Sequence, residues 1–173
     1  MEISAQNPTQ FFTATILEWK KLLGPDKYKE IVLKSMKFLV DDNRVQIHGF
    51  VIMPNHIHIL WRIENGILKQ DVQRDFLKFS AQRIKKDILF YHPNVLLEFL
   101  VNASDRKYQF WERNALSIDI FYKEVFFQKL AYIHQNPVRA KLCADACDYK
   151  YSSARFYRTG VDEWRFLTRY QDV

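Results

Sequence analysis

Two imidazoles one residue apart, His56 and His58, interrupt the apolar run HGFVIMPNHIHILW. On an extended strand residues i and i+2 share a face, so both rings project together while Ile57, Ile59 and Trp61 project to the other side. A pair so placed can chelate one divalent cation; equally, each ring can do no more than satisfy a neighbouring backbone group. Two nitrogens leave a small cation with open positions. In the later stretch AYIHQNPVRA, Tyr132 and Asn136 stand four residues apart, hence one turn apart on one helical face. An Asn amide oxygen is a hard ligand that suits Mg2+ or Mn2+ beside two imidazoles, and a tyrosine one turn away lies beside the cation. Asn136 has a rival reading: Asn before Pro137 is also the signature of a helix N-cap with proline at the first helical position. Tyr132 read alone is an ordinary amphipathic core residue. His134 lies about 200° from it around a helix and is a poor candidate for its base.

These side chains need a frame. QFFTATILEW, residues 10–19, is aromatic and β-branched and predicts a first strand. GPDKYKEIVLKSMKFLVDDN predicts a helix, with Pro25 in its first turn and Tyr28, Ile31, Val32, Met36, Leu39 and Val40 at helical spacing. VQIHGFVIM and HIHILWRI then predict a hairpin around Pro54 and Asn55. A second helix is expected over residues 68–89, one or two strands in KYQFWERNALSIDIFY, and a last helix in KEVFFQKLAYIHQNPVRAKLC. The order β-α-β-β-α-β-(β)-α predicts an α+β, ferredoxin-like (split βαβ) antiparallel sheet of four to five strands, with helices on one face. Residues 1–142 hold all of these elements, and 143–173 read as a basic extension packed on the same domain.

Composition narrows the classes of function. A chain of 173 residues that is 48% hydrophobic is most simply one globular domain. Four glycines leave no GxGxxG or GxxxxGK phosphate loop. Cys143 and Cys147, spaced CxxxC, lack the two further ligands of a zinc site and read as structural thiols. With no secretory leader pattern at the start and no apolar run near the roughly 18 residues of a membrane span, a reducing cytoplasm is expected. The net charge of +6 is compatible with a polyanion partner. Arg74, Lys78 and Lys85 fall within roughly 40° on a helical wheel and form a basic stripe. Residues 139–170 carry seven Lys or Arg against four acids.

GFVIMPNHIHIL, followed later by YIHQNPVRAKL and then YKYSSARFY, resembles the REP-associated tyrosine transposases, relatives of the single-tyrosine IS200-like transposases of the HUH (His-hydrophobe-His) superfamily. The resemblance covers roughly residues 10–157 and implies a catalytic domain over 1–142 that cuts and rejoins single-stranded DNA near hairpins of the REP type. Carried over by position, it makes Tyr132 the nucleophile that forms a 5′-phosphotyrosine. His56, His58 and Asn136 become the ligands of Mg2+ or Mn2+. Insertion-sequence relatives typically carry Gln at the last position, so Asn followed by Pro points to the REP-associated branch. Relatives often have Gly after NPVRA where this chain has Lys141. An ordinary phenol is almost wholly protonated at pH 7, so the metal's field or an unnamed base must assist. Backbone phosphates would be met by Arg74, Lys78, Lys85, Arg139, Lys150, Arg155 and Arg158, with Tyr151 or Phe156 stacking on bases. The implied setting is the bacterial cytoplasm, on the nucleoid, as monomer or homodimer. The alternative is the same fold gripping hairpin DNA without cutting it.

Overall fold

In the computed structural model, which describes residues 7–170, four strands form one antiparallel sheet. The ends of the two expected segments, residues 1–6 and 171–173, lie outside the described residues. Strands β1 (Thr9–Thr15), β2 (Val45–Ile52), β3 (His56–Ile63) and β4 (Leu116–Ile120) lie in the order β2-β3-β1-β4. Helix α1 (Asp26–Asp41) joins β1 to β2, and α2 (Lys69–Tyr91) with the short α3 (Pro93–Leu96) lies between β3 and β4. This is the predicted ferredoxin-like arrangement. β1 stops short of residue 19: Ile16 makes an isolated bridge to Trp111, and a tight turn over Leu17–Trp19 holds Glu18 and Trp19 at φ 53° and 56°. Of the one or two strands expected in residues 107–122, β4 forms, and Trp111 contributes only its bridge.

Alternation along the strands divides the sheet into two faces. Phe12 and Ala14 of β1 and Ile57, Ile59 and Trp61 of β3 are buried with Val32, Met36 and Leu39 of α1 and Phe76, Ile84 and Ile88 of α2. Each such side chain contributes roughly 1.5–3 kcal/mol by leaving water. Both crossover helices thus lie on one face, as expected. Helix α4 (Lys123–Arg139) does not join them. Its buried row, Phe126, Leu130, Ile133 and Pro137, repeats at helical spacing, and the first three pack over Phe11, Val51 and Leu60 on the opposite face.

Strand β2 serves both layers because it carries a bulge. The register passes from Ile47 opposite Trp61 to Gly49 opposite Leu60, leaving His48 as the extra residue. Ile47 and Phe50 therefore share the α1/α2 face although they are three residues apart. Gly49 is where α4 comes closest: a Cβ there would lie 2.7 Å from Leu130 Cδ1 and 3.3 Å from Ser153 Oγ.

The chain after α4 runs along the free side of β2. Ile52 donates to Tyr151 O, Ser153 to Phe50 O and Thr168 to Ile47 O, all at 2.8–3.0 Å, with α5 (Ala154–Thr159) between them. This segment covers an edge that would otherwise offer unpaired backbone groups. It also corrects an expectation. Tyr151 and Phe156 are buried, at 3% and 9% exposure, so neither offers a face to a base. Tyr151 donates its hydroxyl to Glu30, and Phe156 lies under the Arg169 guanidinium.

Helix α4 runs through Asn136 and Pro137, so Asn136 is not an N-cap. Pro137 is buried, and that burial offsets the hydrogen bond its ring nitrogen cannot donate. The helix ends at Lys141, held at φ 59°, where Leu142 N donates back to Pro137 O at 2.9 Å. A side chain in this left-handed region costs about 1–2 kcal/mol, whereas glycine gives back part of that through its looser unfolded chain. Lys141→Gly is expected to leave the fold intact and raise stability by about 0.5–1 kcal/mol, read from the urea midpoint.

Candidate active site

The antiparallel register brings the histidines to a defined spot. Thr13 of β1 is opposite His58, Thr15 is opposite His56, and Val51 of β2 flanks His58 on the other side. All of these side chains share the sheet face that α4 covers. The two rings lie 4.9 Å apart, centroid to centroid, at 72°. His58 is sandwiched: Phe11 stacks on it at 5.1 Å and Tyr132 meets it edge-on at 5.6 Å. The face is therefore less open than the sequence suggests, because α4 lies on it and leaves His58 only 6% exposed. Tyr132 keeps 45% of its surface, with one edge toward the histidine and the other toward solvent.

Hydrogen bonds orient both imidazoles. His56 Nδ1–H donates to Asn55 Oδ1 at 2.7 Å, and Asn136 Nδ2 donates to His56 Nε2 at 3.2 Å. Together these bonds fix one tautomer, with Nε2 unprotonated and accepting from the amide. His58 Nδ1 lies 2.7 Å from Thr13 Oγ1, so the hydroxyl holds that side of the ring and leaves Nε2 out of the bond. Burial holds both rings neutral, pushing His56 down to about 4 and His58 to about 3, the latter helped by the charges of His56, Lys129 and Arg139. Neutral imidazole is the form that binds metal.

The four residues singled out for chemistry, from two distant parts of the chain, meet in one place. Asn136 reaches His56, and Tyr132 reaches His58 of the same chain. Two cations from α4 complete the surroundings. The Arg139 guanidinium lies 4.5 Å from the Tyr132 ring centre and donates to the Tyr132 carbonyl at 2.9 Å. Lys129 lies 4.9 Å over Phe11. The sequence reading missed Lys129, Thr13, Asn55 and Phe11. Lys129 had a signal, since it stands three residues before Tyr132 on the same helical face; Thr13 had none until the register was known. His134 points away from Tyr132, with Nε2 2.8 Å from Ser153 Oγ.

The two imidazole Nε2 atoms and the Asn136 amide make a donor set that would fit Mg2+ or Mn2+ once the amide presents Oδ1 in place of the Nδ2–H that now donates to His56, with positions left for water or a phosphate. Among the described residues no group of three His, Cys, Asp or Glu gathers into a metal cluster, and the amide beside the pair is that of Asn136.

The other basic candidates stand apart. Arg74 is tied to Asp71 and Asp75, Lys150 to Glu30, Arg155 to Glu163 and Arg158 to Asp145, all in exposed pairs. With Lys78 and Lys85, Arg74 lines a groove between α2 and residues 105–115, away from the histidines. Of the seven, only Arg139 stands at the candidate site. Among the described residues no helix is long and apolar enough to cross a membrane.

No protein-family model and no curated protein sequence matches the chain. Among solved structures, one of a REP-associated tyrosine transposase bound to a REP hairpin superposes with a TM-score of 0.68, covering 100% of this chain and 93% of that one at 16% identity. A Deinococcus radiodurans R1 protein proposed as a transposase gives a TM-score of 0.49 and 11% identity over 78% of this chain and 95% of that one, too distant to argue from. The chain is built on the fold of a REP-associated tyrosine transposase.

Proposed function

We propose that the chain is a transposase of the REP-associated tyrosine type, which cleaves and rejoins single-stranded DNA at or near hairpins through Tyr132. The observation that carries this reading is the convergence of Tyr132 and Asn136 on the His56–His58 pair within a single chain. The shared fold supports it, as does the hairpin held by the superposed protein. One protomer holds the complete set, so the reading asks only for a monomer.

His56, His58 and Asn136 would hold Mg2+ or Mn2+, whose field when bound polarises a phosphate and eases attack on it. The rest falls to the protein. The Tyr132 oxygen bonds to phosphorus and the bond from phosphorus to the 3′ oxygen breaks. The phenolic proton leaves to solvent and the departing 3′ oxygen takes one up. The products are a 5′-phosphotyrosine and a free 3′-OH, which can reverse the step without ATP because the ester bond is conserved in the link. Arg139 and Lys129, on either side of the tyrosine along α4, neutralise the strand's charge near the reacting phosphate. Phe11 wedges His58 from behind and keeps its ring plane fixed.

The test is a covalent adduct. Protein incubated with single-stranded hairpin DNA and Mn2+ is expected to yield a protein–DNA species on a denaturing gel that EDTA prevents. A shifted but uncut hairpin under all conditions would replace this reading with that of a binding protein.

Thr13 and Asn55 have a positioning role within the same reading, because groups that hold the far nitrogen of a ligating histidine typically contribute 10–100-fold to metal affinity. Thr13→Val keeps the shape and removes the oxygen 2.7 Å from His58 Nδ1. Mn2+ affinity, measured by calorimetry without DNA, is expected to fall about tenfold or more. A Thr13→Ser variant restores most of it.

A further inference from the structure

We propose that the furrow between α1 and α2, on the sheet face opposite the histidine pair, is a second binding site, for single-stranded nucleic acid. The furrow has a volume of about 970 Å3 and is lined by Lys34 of α1 and by Phe79, Arg83, Lys86, Phe90 and Tyr91 of α2. Helix α2 meets the core through a different row, Val72, Phe76, Ser80, Ile84 and Ile88. Phe79 is half-buried and stacks on Phe38 of α1 at 6.4 Å, but Phe90 and Tyr91 lie outside both contacts and are not there to hold the fold. Phe90 is 78% exposed and Tyr91 63%, and the two rings sit edge to face at 4.6 Å.

Charge complementarity identifies the occupant. Among the described residues Lys34, Arg83 and Lys86 make no ion pair. The one acid lining the furrow, Asp87, is already engaged by Lys27 and the Tyr28 hydroxyl. The furrow therefore offers uncompensated positive charge beside flat apolar faces. Phe79, Arg83, Lys86 and Phe90 follow one another at spacings of four, three and four residues, which places them in one row on the helix. At 1.5 Å per residue that row is about 16 Å long, the reach of about five stacked nucleotides at 3.4 Å each. Aromatic faces on either side of a pair of cations are what a single strand meets with bases and phosphates at once. A duplex keeps its base faces stacked inside and cannot use Phe79 or Phe90. A second copy related by two-fold symmetry would set the same three cations against themselves.

This site does not involve Tyr132, the histidines or a metal, so it is tested apart from the cleavage reading. Full-length protein in EDTA is titrated into a fluorescein-labelled oligothymidylate of about ten nucleotides, a few longer than the row, and anisotropy is followed over a range of salt. Replacing Lys34, Arg83 and Lys86 together by Gln is expected to lower the slope of log K against log salt by about 2, at about 0.7 per phosphate contact. Phe90→Ala is expected to weaken binding about fivefold to a hundredfold with the slope unchanged. Both variants should melt with the wild type, since all four side chains are on the surface. Oligothymidylate affinity and slope that match wild type in both variants overturn the proposal. So does a duplex that competes as well as the single strand, or a Phe90→Ala variant whose only change is in sedimentation, which would make the furrow a protein interface. Loss of oligothymidylate binding in Tyr132→Phe or His56→Ala, with the furrow intact, would place the strand on the catalytic face and overturn it equally.

Discussion

Tyr132→Phe is expected to abolish the covalent protein–DNA adduct, a loss of about 10^4-fold or more in strand cleavage, as is usual when a nucleophile is removed. The substitution deletes one oxygen and keeps the ring. The edge-on contacts to His58 at 5.6 Å and Phe11 at 6.2 Å survive, as does the guanidinium of Arg139 over the ring. Because nearly half of the side chain is exposed and no buried partner loses a bond, stability should change by less than about 0.5 kcal/mol. The decisive pattern is a dissociation: hairpin binding and Mn2+ affinity stay at wild-type values while the adduct disappears from the denaturing gel. An adduct that persists in Tyr132→Phe would show that another residue is the nucleophile and would remove the basis of the proposed function.

The second large effect is on stability against acid. His134 is held down to about 4, His56 to about 4 and His58 to about 3, each chiefly by burial, and burial lowers His48 as well. In the unfolded chain these rings return to about 6.5. The unfolded state therefore binds more protons than the folded state over this range, and stability rises with pH. The stabilisation is fully present above about 6.5 and is lost progressively as pH falls toward 4 and 3. Protonating His134 in place costs on the order of 3 kcal/mol, a large part of the 5–15 kcal/mol that a domain of this size has. Urea unfolding in EDTA is expected to give a midpoint that is flat between pH 7 and 8 and falls steeply below about 6, with the fold lost near pH 4. His134→Asn should flatten the curve between 6.5 and 4. A midpoint that is level down to pH 5 contradicts the burial described for these rings.

Much of this arrangement is legible in the amino-acid order. His56 and His58 share a face because strand alternation is strict, and the same alternation places Ile57, Ile59 and Trp61 under α1 and α2. The i, i+4 spacing of Tyr132 and Asn136 sets them on one side of α4. What local patterns could not say is which face α4 would cover, since that depends on Phe11, Val51 and Leu60 forming a second apolar surface only after β1, β2 and β3 are paired. Asn136–Pro137 is a similar case. Local preference favours a break in the helix, and the burial of Pro137 overrides it. Arg74 of the basic stripe shows what a wheel leaves out: it has carboxylates at Asp71 and Asp75 within its own turn, and these take up its charge, although it lines one groove with Lys78 and Lys85.

The bulge at His48 has a corollary for how such a chain can vary. Upstream of it the odd-numbered residues of β2 face α1 and α2; downstream the even-numbered ones do, which frees Gly49 and Val51 for α4. The hairpin therefore keeps a count modulo two, and one unpaired residue carries the phase. A one-residue slip of β3 against its neighbours would invert that parity and turn the imidazoles into the α1/α2 layer. Length variation among descendants of this sequence should instead collect in residues 102–107, which hold no place in the ladder.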